Sequence, residues 1–190
     1  DWWALKMWRE LDEALLNLRF NYREIGLLLL RTQGDIDTIL KLDEQLMAHK
    51  DDGFVNEVIH HQKRVLKRLD LMSKSLFALV DEGSCFAGSL FELTISADRS
   101  YMLEEDVEIA ISAINGGILP MANGLSRLQT RFVMEPTLAD VAAASRGHLD
   151  SDAADELGLI TMIYDDIDWD DEIRMIIEER SNYSPDALTA

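Results

Sequence analysis

Two stretches of this chain are apolar without interruption over the length of a strand: Ile25 to Leu30 and Leu76 to Val80. A strand with one wet face alternates, whereas an unbroken run reads as buried on both faces, the pattern of a parallel sheet covered by helices. The segments around them have helical periodicity. Trp3, Met7, Leu11, Ala14, Leu15 and Leu18 predict an amphipathic helix over residues 2–19. After the Gly34-Asp35 turn a second helix is expected from Asp37 to Met47. A longer one follows over residues 53–71, with Phe54, Val58, Val65 and Leu69 inward.

Beyond Val80 the small residues Ala87-Gly88-Ser89 lead into a helix from Gly88 to Ser96, and short strands are expected near 99–103 and 107–112. In the second of these, Val107, Ile109 and Ile111 alternate with Glu108, Ala110 and Ser112. NGGILPMANG reads as a loop, and from about residue 122 the pattern is mostly helical, interrupted by a strand-like Leu159-Ile160-Thr161. Strand-helix alternation without an internal repeat predicts one α/β domain.

Composition narrows the partners. With 18 basic against 36 acidic residues and a formal charge of −18, the chain lacks the cationic surplus needed to displace counterions from nucleic acid or to hold an anionic membrane surface. No apolar run is long enough to span a bilayer, and DWWALKMWRELDEALLNLRF has no signal-peptide pattern. The single cysteine, Cys85, leaves no intramolecular disulfide and fits a reducing compartment, so a cytoplasmic location is expected. Both ends read as cut: the chain opens on a helical pattern, and SPDALTA looks like a helix start, Ser184 as N-cap and Pro185 at the first helical position.

The turn at 87–89 is the first candidate site. A strand passing through small residues into a helix leaves backbone N–H groups without partners at the positive end of the helix dipole. Such donors stabilise an oxyanion or bind a phosphate, and small side chains allow a ligand close to the backbone. The same turn also fits a plain structural connection. Glu92 stands one turn further on, a carboxylate in an otherwise apolar helix.

Three ordered segments carry a family resemblance: SLFALVDEGSCFAGSLFELTISADRSYM, GILPMANGLSRL and DAADELGLIT. Together they resemble the crotonase (enoyl-CoA hydratase/isomerase) superfamily, in which the second segment reads G-x-x-P-x-x-x-G-x-x-R-L. LLRTQGD, DDIDWDDEIR and SPDALT draw the resemblance toward a ring-cleaving branch, the benzoyl-CoA-dihydrodiol lyases. The resemblance implies a crotonase-like α/β spiral of strand-strand-helix turns, truncated at both ends. Residues 1–145 would form its core, and 146–190 an incomplete C-terminal helical segment of the same domain.

It further implies an acyl-CoA substrate whose thioester enolate is held by two backbone N–H groups, with no metal or redox cofactor, in a homo-oligomer (dimer, trimer or hexamer). In that branch the ring of a benzoyl-CoA dihydrodiol is opened with release of formate. One oxyanion donor would come from Gly88-Ser89 and the other from the first loop near Gly34-Asp35. Glu92 matches one of the superfamily's two acid/base carboxylates; the alternative is a structural Glu92 bonded to backbone donors or an arginine. The second carboxylate falls at Ala113, which transfers no proton. Glu108, Ser112 or Asn115 could act instead, or the chain could be non-catalytic. A generic enoyl-CoA hydratase or isomerase is a further reading. So is a crotonase-fold protein that binds acyl-CoA or only a partner subunit.

The remaining candidates weigh less. Cys85 lies beside the turn and could line the site, but no histidine is near in sequence to activate it, so it reads as a packed thiol. His60 and His61 diverge by about 100° around a helix and cannot share a metal. Lys63, Arg64, Lys67, Arg68 and Lys74 form a basic cluster, either a solvated helix face or a contact for CoA phosphates. The acidic run from Asp165 to Glu172 lacks the glycine and spacing of a calcium loop and suits the N-terminus of a helix starting near 168.

Overall fold

The computed structural model describes residues 2–183. In chain order the elements are α1 (Trp3–Asn21), β1 (Leu27–Leu30), α2 (Ile36–Ala48), α3 (Gly53–Asp70), β2 (Ser75–Val80), α4 (Gly88–Ser96), β3 (Arg99–Leu103) and β4 (Ile109–Ile111). A short 3-10 helix (Ala113–Gly116) leads to α5 (Arg127–Arg131), α6 (Pro136–Ala144), β5 (Gly147–Leu149), α7 (Ser151–Glu156), β6 (Met162–Tyr164) and α8 (Trp169–Ser181). SPDALTA, expected to start another helix, lies outside the described residues.

Strands β1-β2-β3-β6 form one parallel sheet in that order, with Leu28 opposite Leu76, Phe77 opposite Arg99 and Tyr101 opposite Met162. Strand β2 is buried throughout because it lies inside the sheet and both faces are covered. Leu76, Ala78 and Val80 point into the main core with Phe86, Phe91 and Met102. Phe77 and Leu79 point the other way, against Tyr101, Trp169 and Ile173, so α8 closes the second face. There the Arg180 guanidinium donates to Ser75 Oγ (2.7 Å) and lies 5.9 Å from the Phe77 ring centroid. Each face thus takes alternate residues of one apolar run.

Strand β1, expected to be fully buried, is only half-buried, and Leu29 is exposed. It is an edge strand paired on one side alone. Phe54 is also exposed rather than inward. The buried stripe of α3 is Val58, Ile59, Gln62, Val65, Leu66 and Leu69, and Phe54 projects past its end to lie 5.9 Å from the Trp2 ring.

The antiparallel pair β4–β5 forms a second small sheet, sewn to the residues before α4 by a parallel bridge between Ala87 and Ala110. The Ala110 amide donates to Phe86 O at 3.0 Å. The expected alternation therefore fails at Ala110, which is buried under the bridge, while Glu108 is exposed as half of it requires. From residue 146 on, the expected helical segment also supplies β5 and β6. The predicted strand at 159–161 begins later, at Met162, and Leu159 and Ile160 are core residues of the turn before it.

Candidate active site

Helix α4 begins where the sequence places the small-residue turn. Gly88 takes φ +47°, and a Cβ added there would overlap the Asp43 carboxylate, so the position requires glycine on two counts. The Ser89 amide is not free. It donates to Asp43 Oδ2 at 2.6 Å, and both residues are closed off from solvent, at 1% and 3% exposure. Asp43 comes from α2, where it shares the inward stripe with Ile39 and Leu46. Burial pushes its carboxyl up to about 6, against the opposing pull of the Ser89 amide and hydroxyl.

Asp43 is a site residue that sequence reasoning missed, as are its neighbours in the network, Arg127 and Asp70. For Asp43 the signal was present, because residues 39, 43 and 46 follow helical spacing and a carboxylate occupies a position where an apolar side chain belongs.

Glu92 lies one turn below, 2% exposed, with both oxygens engaged. Oε1 accepts from Asn115 Nδ2 (2.7 Å) and Oε2 from Arg127 Nη1 (2.9 Å). Arg127, from the GLSRL segment, also forks onto Asp70 through Nε (2.9 Å) and Nη2 (2.7 Å) and donates to Leu119 O. One buried guanidinium therefore serves two carboxylates. Burial raises both acids: Glu92 reaches about 7, even though Arg127 and Asn115 favour its ionised form, and Asp70 moves in the same direction.

Asn115 connects this network to the turn. Its Nδ2 donates to Gly88 O (2.8 Å) as well as to Glu92, while its Oδ1 accepts from the Ser112 amide (2.9 Å). Ser112 in turn caps the 3-10 helix, so Glu92, Asn115 and Gly88 form one rigid chain of contacts. Ala113 starts that helix and is exposed. Glu108 does not enter the site. It accepts or shares a proton with His148 Nδ1 (2.6 Å), whose Nε2 contacts Asp37 (3.0 Å).

The first loop packs against the second, with Thr32 Oγ1 accepting the Cys85 amide (2.9 Å) and Gly34 lying against the Cys85 thiol. The Gly34 amide, expected near a second oxyanion donor, is committed to Gly83 O at 3.0 Å. Cys85 is buried and desolvation pushes its thiol up, away from the reactive thiolate.

The basic cluster on α3 is divided. Arg68 pairs with Asp12 (2.6 Å), Arg64 is exposed, and Lys67 lies near Asp70. Lys74 is buried and donates to Tyr22 O and Ile25 O, which removes it from the surface cluster. Lys63 lines a cleft of about 470 Å³ together with Lys50, Asp51, Asn56, Gly117 and Pro120. Among the described residues no group of histidine, cysteine and carboxylate ligands is placed to hold a metal, and the acidic run before α8 serves that helix's first turn. Among the described residues no helix is long and apolar enough to cross a membrane.

Solved structures share this architecture. An enoyl-CoA hydratase/isomerase from Marinobacter aquaeolei superposes over 97% of this chain and 70% of its own, with a TM-score of 0.70 at 18% identity. Enoyl-CoA hydratase from Bacillus halodurans does so over 97% and 73%, with a TM-score of 0.70 at 17% identity. The chain has the crotonase fold. In sequence this crotonase-fold chain is similar to benzoyl-CoA-dihydrodiol lyase of Aromatoleum evansii, 50% identical over 99% of its own length. It spans only 35% of that protein, about a third. No family model matches it.

Proposed function

We propose that this chain is the crotonase-fold part of an acyl-CoA enzyme of the benzoyl-CoA-dihydrodiol lyase type. Such an enzyme opens the ring of a benzoyl-CoA dihydrodiol and releases formate. The observation that carries the proposal is the 50% identity to that lyase across almost the entire chain. Geometry supports it at two places. The Gly88-Ser89 turn carries a helix N-terminal amide, at present bonded to Asp43, on a backbone whose Gly88 carbonyl is held by Asn115. The cleft beside Gly117 brings Lys50 and Lys63 together against one lining carboxylate, Asp51, and so offers a small surplus of positive charge for the phosphates of CoA in an otherwise acidic protein.

In this reading the thioester oxygen lies at the Ser89 amide, and Glu92 is a positioning residue. It fixes Asn115 and through it the Gly88 carbonyl, and each of its two oxygens already holds one donor. A second reading, a non-catalytic crotonase module that binds acyl-CoA or a neighbouring subunit, is favoured by Ala113 in place of the second carboxylate.

Calorimetry with benzoyl-CoA and crotonyl-CoA, followed by a formate assay with the dihydrodiol thioester, tests these readings. The lyase reading expects benzoyl-CoA to bind and formate to appear. Binding without formate favours the module. Hydration of crotonyl-CoA without formate points to a generic hydratase, and no binding of either ester removes the acyl-CoA reading.

A further inference from the structure

The Ser89 amide is both the donor that a thioester oxygen would need and the partner of an internal carboxylate. Asp43 Oδ2 sits 2.6 Å from that nitrogen, in the space left by the missing Gly88 side chain. Ser112 Oγ borders the same space, 3.1 Å from where a Gly88 Cβ would stand. Among the described residues no lysine, arginine or histidine forms an ion pair with Asp43. A buried carboxylate without a cation is costly unless donors hold it, and here the holding donors belong to the N-terminus of α4. Asp43 therefore makes with this turn the contact that an incoming oxyanion would make.

We infer that Asp43 is a built-in competitor for the thioester oxygen at the Ser89 amide and sets how readily the turn accepts an acyl-CoA. The inference rests on the acyl-CoA reading above, although the occupancy of the donor does not. One N–H cannot serve two oxygens at full strength, so binding requires Asp43 to swing away, or α2 to carry it away. Gly88 makes room for the competitor as much as for a substrate. A side chain at position 43 that cannot accept a hydrogen bond leaves the donor open.

The test compares the wild-type protein with Asp43→Ala in three titrations. Benzoyl-CoA is expected to bind Asp43→Ala about tenfold more tightly, the scale of one hydrogen bond to a charged group. Free CoA, which has no thioester carbonyl, is expected to bind both proteins equally. Sodium formate, compared with sodium chloride at equal ionic strength, is expected to raise the melting temperature of Asp43→Ala by about 2–4 °C by refilling the vacated donor. Wild type is expected not to respond.

Equal benzoyl-CoA affinities, or an Asp43→Ala protein indifferent to formate, would overturn the inference. If no CoA species binds either protein while formate still rescues the variant, the acyl-CoA reading falls and the internal occupancy stands. Should Asp43→Ala fail to fold, Asp43→Asn replaces it. Loss of the charged acceptor is expected to move the Ser89 amide proton resonance upfield, and an unmoved resonance contradicts the contact.

Discussion

Asp43 and Ser89 lie 46 positions apart in the chain and meet through a 2.6 Å hydrogen bond at the head of α4. The bond joins the first loop-helix unit to the turn that the sequence offers as a candidate donor site. Its first consequence is for stability.

The pH dependence of stability follows from the Asp43 carboxyl, whose folded value is raised to about 6 while the unfolded one lies near 3.9. A raised folded value means that the group favours folding below about pH 4, and that this benefit is lost as pH climbs toward 6. Above pH 6 the accumulated cost is about 3 kcal/mol. Asp43→Asn has no such charge to bury. Urea unfolding at pH 4 and pH 7 is expected to show the variant gaining on wild type across that interval. A constant difference between the two proteins would contradict the assignment.

Removing Arg127 strands two buried carboxylates. Arg127→Met is expected to lower stability by about 3–5 kcal/mol, the scale for breaking a buried ion pair from one side. Arg127→Lys is expected to recover only part, because an ammonium cannot fork onto Asp70 and also reach Glu92 and Leu119 O. Denaturant midpoints of the two variants decide this.

Gly88→Ala meets both the left-handed φ and the Asp43 carboxylate. The backbone strain alone costs about 1–2 kcal/mol, and the overlap adds to it. Combined with Asp43→Ala the overlap disappears and the strain stays, so the double variant is expected to lose less than the two single losses added together. Additive losses in thermal unfolding would mean that the two residues do not compete for the same space.

Ala113→Glu tests the missing carboxylate. The position is exposed at the start of the 3-10 helix, so the change is expected to alter stability by about 0.5 kcal/mol or less. If 113 is the vacant acid/base position, formate release from the dihydrodiol thioester rises. An unchanged rate places the second proton-transfer group elsewhere.

How much of this was legible in the sequence depended on how local each signal was. The β2 run, the helix from Gly88 to Ser96 and the strand from 99 to 103 follow from continuous apolarity and small-residue punctuation, and they stand where expected. Strand β5 is three residues long and includes an exposed histidine, and its identity comes from pairing with β4 rather than from its own pattern. Phe54 has the right helical phase for the core, but the core ends before it. Glu92 was conspicuous as a charge among apolar neighbours, whereas its partners Asn115 and Arg127 come from a short 3-10 helix and the first residue of α5, whose approach no periodicity encodes. Asp43 stands between Leu42 and Glu44 in a mixed, charged segment, and only the stripe it shares with Ile39 and Leu46 marks it as buried.

On the proposed function the thioester oxygen of an acyl-CoA takes the Ser89 amide. Titration of benzoyl-CoA into ¹⁵N-labelled protein, followed at the Ser89 amide by NMR, tests it most directly. This resonance is expected to move to a new saturated position as the ester displaces Asp43. Saturation by benzoyl-CoA with the Ser89 resonance unmoved would contradict it.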